Sequence, residues 1–264
     1  MRCAKCGGVL QAGARFCAEC GTAVPVVTPL PPGLSVMRGR SASRNPSRLV
    51  VDASGGEHYE GRWRLRAFAT IATAVEYARG GDTILLRPGT YREPRGITIS
   101  GDVHIKGQGG RSEVIVEGAP GADVFKFRGG SATLTGLTIR VVGTGPADQS
   151  WSAIVVRAGT PVIEDCDLTS SAGPAVSIVG AWANPLIRKC TIRDSRDAGV
   201  RVSDQGQGTF TANTLEGNAR GAWDIQPSAE SVTRTGNWPP GWREWLGFCY
   251  GGLVIFVVLY LFLR

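Results

Sequence analysis

The feature that most constrains this chain is an internal repeat with a period of about 23 residues. One series of similar segments occupies residues 161–168, 185–192 and 208–215. A second series occupies residues 124–127, 153–156, 175–178, 199–202 and 222–225. Both consist of short runs of alternating apolar residues, separated by Gly, Asn, Asp or Ser. This pattern is typical of a parallel β-helix and does not fit helical repeats.

The alternation within each segment predicts which side chains point into the solenoid. One coil contributes Ile163, Cys166, Leu168, Val176 and Ile178, and the next contributes Ile187, Cys190, Ile192, Val200 and Val202. Residues at equivalent positions of successive coils, here called a file, stack with strands roughly 4.8 Å apart. One predicted file is Leu137, Cys166, Cys190 and Asn213. An inward asparagine there can bond to the same turn in adjacent coils, which avoids the cost of burying its amide.

Charge and cysteine usage limit the class of protein. The formal net charge of +7 permits contact with nucleic acid or anionic lipid but selects neither. Four cysteines lie near the N-terminus, two in the repeats and one at position 249, which is not the distribution of a disulfide-stapled secreted domain. The sequence begins without an apolar signal-peptide core. We therefore expect the folded part to be cytoplasmic, with Cys166 and Cys190 reduced.

Residues 1–24 contain two Cys-x-x-Cys-Gly knuckles, formed by Cys3 with Cys6 and by Cys17 with Cys20. Four thiolates at this spacing can close a tetrahedron around structural Zn²⁺, which leaves no open position for catalysis. So short a segment needs the metal to fold. The segment resembles the zinc-ribbon modules at the N-termini of many bacterial proteins. A redox pair or an iron site is the competing interpretation.

Residues 25–48 are rich in Pro, Ser and Arg, show no apolar period, and are predicted to be a linker. Its arginines could contact anionic headgroups, but a solvated basic linker is the simpler interpretation.

Residues 49–235 are predicted to form the β-helix. After a strand at residues 49–52, Phe68, Ile71, Val75 and Ala78 share one face of a helix that Thr70 could begin and Gly80 could end. Residues 80–93 then read Gly-Gly-Asp-Thr-Ile-Leu-Leu-Arg-Pro-Gly-Thr-Tyr-Arg-Glu. This opening resembles the right-handed parallel β-helix superfamily that includes pectate lyases and pectin methylesterases. The resemblance implies a single-stranded, mainly β solenoid whose N-terminal helix caps its first coil.

Residues 245–263 carry no charged side chain and would span roughly 28 Å as a helix, which is close to the hydrocarbon thickness of a bilayer. Three tryptophans at positions 238, 242 and 245 precede or begin this stretch, as at a membrane interface. We expect a single-pass transmembrane helix at the cell membrane, preceded by a juxtamembrane segment at residues 236–244. The N-terminal domains would then lie in the cytoplasm.

Enzymes of the superfamily bring carboxylates, Arg or Lys from adjacent coils together on one outer sheet. The outward file Lys126, Val155, Ser177, Arg201 and Asp224 mixes signs and sizes, and so does the series Asp167, Thr191 and Thr214. The best catalytic candidates are Asp167, Arg188, Asp194 and Arg201. Neither His58 nor His104 lies near these acids in the sequence pattern.

We therefore expect a membrane-tethered, non-enzymatic binding or scaffolding protein whose solenoid recognises a protein or a polysaccharide. Two alternatives stay open: a carbohydrate-active lyase or hydrolase, and a solenoid that assembles into homo-oligomers. Nucleic acid is not an expected partner, because the basic linker lacks interleaved aromatic residues.

Overall fold

The computed structural model describes residue 20 and residues 46–54, 57–60, 63–143, 145–146 and 148–238. The chain divides into two compact units, Met1–Asn45 and Pro46–Arg264, and the elements below belong to the second. Of the four predicted zinc ligands, only the half-buried Cys20 is described. The predicted transmembrane helix at residues 245–263 lies outside the described residues. Within them, no helix is long and apolar enough to cross a membrane.

The second unit consists of short strands and one helix. Its first half contains β1 (Arg48–Val51), β2 (Glu57–Glu60), β3 (Trp63–Arg66), α1 (Ile71–Tyr77), β4 (Thr83–Leu86), β5 (Gly89–Arg92), β6 (Ile97–Ile99), β7 (His104–Gly107), β8 (Val114–Gly118), β9 (Phe125–Arg128), β10 (Thr133–Thr135) and β11 (Thr138–Val141). Its second half contains β12 (Ile154–Ala158), β13 (Val162–Glu164), β14 (Asp167–Ser170), β15 (Val176–Val179), β16 (Leu186–Arg188), β17 (Thr191–Arg193), β18 (Val200–Ser203), β19 (Gly208–Thr211), β20 (Thr214–Glu216), β21 (Trp223–Ile225) and β22 (Val232–Thr235).

These strands form three parallel sheets that run along the solenoid. The first sheet has the order β1-β4-β7-β10-β13-β16-β19-β22. The second sheet is β5-β8-β11-β14-β17-β20 and the third is β6-β9-β12-β15-β18-β21. Each sheet therefore receives one strand from every coil, which confirms the predicted parallel β-helix. A separate antiparallel hairpin, β2 with β3, was not expected from the sequence.

The interior is apolar, and the predicted inward residues are buried. Ile163, Leu168 and Ile178 are 0% exposed, as are their partners one coil later, Ile187 and Ile192. The hydrogen-bonded register pairs like positions in adjacent coils, for example Ile163 with Ile187. Each coil thus covers the apolar face of the coil before it, and burial rather than intrinsic strand propensity stabilises the repeat.

The turn between the first and second sheets is the same in successive coils. One residue takes a left-handed conformation at Gly136, Asp165, Lys189, Ala212 and Gly236, with φ between 51° and 69°. The next residue points inward, which produces the predicted file of Leu137, Cys166, Cys190 and Asn213, extended by Asn237. The Asn213 Oδ1 atom accepts a hydrogen bond from Cys190 N at 2.9 Å, and its Nδ2 donates to Ile187 O at 2.9 Å.

Helix α1 packs against β1, β4 and β6 at the N-terminal end of the solenoid. Thr70 Oγ1 accepts a hydrogen bond from Thr73 N at 3.2 Å, and the buried Glu93 accepts one from Ile71 N at 2.7 Å. The helix ends at Tyr77 rather than near Gly80, because Ala78 already has an extended backbone with ψ of 149°.

Candidate functional site

The four catalytic candidates lie on different faces of the solenoid. Asp167 lies on β14 of the second sheet, Arg188 on β16 of the first and Arg201 on β18 of the third. Asp194 follows β17 in a turn, with a φ of 51°. Of these four, the fold therefore brings only Asp167 and Asp194 together, and it does so through a residue outside the predicted set.

That residue is Arg193, which binds both carboxylates. Its Nε and Nη2 atoms lie 3.1 and 2.9 Å from the two oxygens of Asp167, and its Nη1 atom lies 2.8 Å from Asp194 Oδ2. The hydrogen bond and charge of Asp167 raise the pKa of Arg193. The guanidinium occupies the space between the two acids, so they form a charge-assisted structural cluster in this conformation. In the sequence, Arg193 comes two residues after Thr191, and Thr191 pairs with Asp167 across the strands. Arg193 is therefore a diagonal neighbour of Asp167.

Arg188 lies directly opposite Glu164 in the first sheet. Its Nη2 atom donates to Glu164 Oε2 at 2.7 Å, and Lys189 Nζ donates to Glu164 Oε1 at 3.0 Å. The hydrogen bonds from Lys189 and then Arg188 hold the pKa of Glu164 below its usual range. This carboxylate remains ionised near neutral pH, which suits an ion pair better than a general acid.

Arg201 forms a third cluster, on the outer face of the third sheet. Its Nε atom donates to Asp224 Oδ2 at 2.7 Å and its Nη2 atom to Asp197 Oδ2 at 2.8 Å. Burial disfavours the charge of Arg201, but Asp224 and Asp197 together outweigh that effect and raise its pKa. The neighbouring residue in the register is Ser177, whose hydroxyl lies 2.9 Å from that of Ser152. Two carboxylates on one guanidinium are the nearest approach to a catalytic group on this face.

The strand register confirms the predicted outward file on the third sheet. Val155 pairs with Lys126 on one side and Ser177 on the other, and Arg201 pairs with Asp224. Val155 is nevertheless only 3% exposed. The middle of this file is therefore closed to solvent at Val155, whereas Lys126, Ser177 and Arg201 are partly exposed.

An open polar and aromatic surface lies at the turn between the third and first sheets. It consists of Arg128, Arg157 and Trp182, which we call the tryptophan–arginine edge. Trp182 is 83% exposed, and both arginines are exposed. A β-bulge between β9 and β12 places Ala158 opposite Arg128 and leaves Arg157 as the extra residue. Neither arginine forms an ion pair or side-chain hydrogen bond with the described part of the chain.

Backbone hydrogen bonds join the adjacent coils that carry these three residues. Thr160 N donates to Gly130 O at 2.9 Å, and Gly159 N donates to Trp182 O at 2.8 Å. Trp182 forms one of these two hydrogen bonds itself, and Arg128 and Arg157 each precede a bonded glycine by two residues. Gly159 has a φ of +95°, and a Cβ atom there would lie 2.5 Å from Gly130 O, so the close approach requires glycine.

The tryptophan–arginine edge could not be predicted from the sequence, for a physical reason. A tryptophan in a run of small residues gives no alternation from which its exposure could be predicted, and a bulge changes the direction of a side chain without a clear sequence signal.

In the described parts of the second unit, no three His, Cys, Asp or Glu side chains lie close enough together to hold a metal ion. His104 Nδ1 lies 2.9 Å from Thr133 Oγ1 on the first sheet. His58 belongs to β2 of the hairpin. The predicted zinc ligands Cys3, Cys6 and Cys17 lie outside the described residues.

The three parallel sheets and the inward files, including the stacked Asn213 and Asn237, define a β-helix protein. The family model described as "Right handed beta helix region" matches residues 124–237. The fold is accordingly a right-handed parallel β-helix.

Solved structures with a similar fold include two pectin methylesterases and a pectate lyase. Pectin methylesterase PemA from Erwinia chrysanthemi is 20% identical, with a TM-score of 0.47, over 63% of this chain and 54% of that chain. The pectin methylesterase from Aspergillus niger is 11% identical, with a TM-score of 0.46, over 76% of this chain and 88% of that one. Pectate lyase Pel9A is 14% identical, with a TM-score of 0.42, over 72% and 63%. The chain spans about half the length of PemA.

Proposed function

We propose that this chain is a membrane-tethered, non-enzymatic binding protein whose β-helix holds an extended, carboxylate-bearing polysaccharide at the tryptophan–arginine edge. The observation that carries the proposal is the exposure of Trp182 beside two arginines that have no ion-pair partner among the described residues. Among the described residues, eight other arginines are in ion pairs with carboxylates, namely Arg87, Arg92, Arg111, Arg140, Arg188, Arg193, Arg201 and Arg220.

The chemistry of the edge suits a charged sugar chain. The flat face of an exposed tryptophan offers a large apolar area that can cover the C–H face of a pyranose ring. An arginine guanidinium matches a carboxylate with two parallel hydrogen bonds. Successive coils repeat roughly every 4.8 Å, so the cationic groups from adjacent coils can follow an extended chain.

The proposal is tested by binding of the full-length protein in detergent to polygalacturonate and alginate, with dextran as the neutral control. We expect Trp182→Ala and Arg157→Gln each to weaken binding to the acidic chains at least about tenfold, the size of a moderate hot-spot loss. The matched controls are Tyr77→Ala, an exposed aromatic on α1, and Arg196→Gln, an exposed arginine on the far side of the repeat.

Both control variants should bind like the wild type. Equal affinity of Trp182→Ala and wild type for every acidic chain would refute the edge as the binding surface. Capture of a protein partner, lost in the same two variants and without any glycan binding, would assign the edge to protein recognition instead.

A carbohydrate-active enzyme is the second candidate, because Asp197 and Asp224 share one guanidinium on Arg201. The test is incubation of wild type with pectin, polygalacturonate and alginate, scoring reducing ends, unsaturated ends and released methanol. Product that disappears in Arg201→Gln would support an enzyme at this cluster. Product lost instead in Asp194→Asn would favour the Arg193 cluster.

The tether and the zinc ribbon complete the proposal. Residues 245–263 would anchor the protein in the cell membrane, and Cys3, Cys6, Cys17 and Cys20 would hold structural zinc on the cytoplasmic side. The anchor is tested by extraction of membranes with alkaline carbonate, which should leave the protein in the pellet. Protease added to sealed spheroplasts should spare the β-helix if it is cytoplasmic, whereas its digestion would reverse the topology.

A further inference from the structure

The C-terminal end of the β-helix differs from the coils before it in one inward side chain. On the first sheet, one inward file runs through all eight strands: Leu49, Ile84, Ile105, Leu134, Ile163, Ile187, Phe210 and Arg234. The members from Ile84 to Phe210 are 0% exposed. The apolar file therefore ends in a cation at the last strand, β22.

The arginine does not enter the core but lies across the end of it. Its Cζ atom is 5.3 Å from the centroid of the Trp223 ring. Trp223 in turn meets Phe210 edge to face, with ring centroids 5.1 Å apart. Phe210, Trp223 and Arg234 thus form a stack in which the outermost group is charged, and the cation gains a favourable contact with the ring face.

The strands at this end would otherwise favour association. Within the described chain, β20, β21 and β22 are each the last strand of their sheet. The outer edge of β20 is bridged to Trp238 of the same chain, whereas β21 and β22 have no further strand beside them among the described residues. Strands of this kind present unpaired backbone N–H and C=O groups, and the end of an apolar solenoid can add a further coil from another molecule. Natural β-proteins often block this reaction with an inward-pointing charge.

We infer that Arg234 prevents two copies of this chain from associating end to end through their C-terminal coils. A second solenoid placed on this end would bury the Arg234 guanidinium. Arg234 forms no ion pair with any acid of the described chain; Asp224 is paired with Arg201, and Glu230 accepts a hydrogen bond from Gln207. Burial of an unpaired cation costs more than the apolar contact returns. If the two ends met symmetrically, the Arg234 of each copy would also face a like charge.

The inference is independent of the proposed ligand, since it uses neither Trp182 nor Arg157. It also gives a physical reason against the self-assembling solenoid that the sequence left open. The homo-oligomer expected under that alternative would need this end, or another surface, to be free of such a block.

The experiment compares the mass of full-length variants in detergent micelles by sedimentation velocity, over about a hundredfold range of concentration. Arg234→Leu continues the apolar file, and Arg234→Met keeps an unbranched stem over Trp223. We expect both to shift with concentration to about twice the wild-type mass. Arg234→Lys, which keeps the charge, and Arg220→Leu, which removes a 75%-exposed arginine between β20 and β21, should sediment like the wild type.

Any association through the membrane segment is common to all these proteins and cancels in the comparison. Circular dichroism establishes that each variant retains the β-sheet signal. Folded Arg234→Leu and Arg234→Met proteins with the wild-type mass at every concentration would overturn the inference. So would a wild type whose own self-association is abolished by Arg234→Lys, because Arg234 would then be part of an interface.

Discussion

The side-chain amide of Asn213 donates a hydrogen bond to the side-chain oxygen of Asn237, one coil later, at 2.9 Å. The same oxygen accepts a second bond from Asn213 N at 2.9 Å, and Asn237 Nδ2 donates to Phe210 O at 2.9 Å. Asn213 is 1% exposed and Asn237 is 4% exposed. The two amides therefore satisfy backbone groups of two successive coils inside the core, where water cannot do so.

Replacement of Asn213 should destabilise the whole β-helix. In Asn213→Ala the buried Cys190 N–H and Ile187 C=O lose their side-chain partner, at a cost of about 1–3 kcal/mol for each group, or roughly 2–6 kcal/mol in total. We expect a loss of this size in the free energy of unfolding, measured by urea denaturation with circular dichroism. Thr214→Ala, at the adjacent outward position, is the control and should change it by less than about 0.5 kcal/mol. Similar losses in the two variants would show that the hydrogen bonds of the Asn213 side chain contribute little to the free energy of unfolding.

The stacking of inward residues, including Asn213, could largely be predicted from the sequence, because the repeat specifies it. A period-2 alternation assigns each strand residue to the inside or the outside, and a fixed repeat then places like positions in one file. This logic placed Ile163 over Ile187 and Cys166 over Cys190, and it identified Asn213 as an inward amide. Which residues stack on one another follows from the backbone geometry that the coils share, so it does not depend on the rotamer of any one side chain.

The charge clusters could not be predicted in the same way. Arg193 reaches both Asp167 and Asp194, although its own cross-strand position is opposite neither, because a long side chain can span a diagonal on the sheet surface. Arg201 joins Asp197, four residues earlier in the chain, with Asp224, on the next strand. Such contacts depend on the torsion angles of exposed side chains, about which a repeat pattern contains no information.

The buried Glu93 makes the stability of the α1 region depend on pH. Burial raises the pKa of Glu93, although hydrogen bonds from the backbone of Ile71 and Ala72 oppose the rise. Because the folded pKa lies above the unfolded one, this stabilising contribution is complete below the unfolded pKa and is lost as pH rises through the raised value. Glu93→Gln keeps an oxygen for Ile71 N but does not titrate.

We therefore expect the Tm of wild type relative to Glu93→Gln to fall as pH rises from about 4 to 7. Differential scanning calorimetry of both proteins in matched buffers measures the difference, in which the titration of all other groups cancels. A constant difference between wild type and Glu93→Gln across this range would contradict the expectation.

The two core thiols should resist modification in the folded protein. Cys166 is 0% exposed and Cys190 is 1% exposed. Burial, followed by the hydrogen bond with Cys190, raises the pKa of the Cys166 thiol, and the thiolate is the reactive form. We expect N-ethylmaleimide at about pH 7.5 to label both residues at least about a hundredfold more slowly than an exposed thiol, because the reagent can reach them only when the protein unfolds.

Peptide mapping by mass spectrometry provides the rates, and Thr98→Cys supplies the reference thiol on an exposed position of β6. In urea all three cysteines should react at similar rates. Labelling of folded Cys166 or Cys190 at the rate of the reference would mean that the core opens far more often than its burial implies.

The N-terminal knuckles lead to a prediction about metal content. Cys3, Cys6, Cys17 and Cys20 have the spacing of a closed tetrathiolate site, so the full-length protein should contain about one equivalent of Zn²⁺ per chain, measured by elemental analysis after gel filtration. The double variant Cys17→Ser and Cys20→Ser should lose that metal, because two thiolates cannot complete the tetrahedron. Cys249→Ser, which removes a thiol outside the knuckles, should retain it. Iron in place of zinc, or metal retained by the double variant, would contradict a structural zinc site. The β-sheet circular dichroism of the double variant should match the wild type, because the knuckles and the β-helix belong to separate compact units.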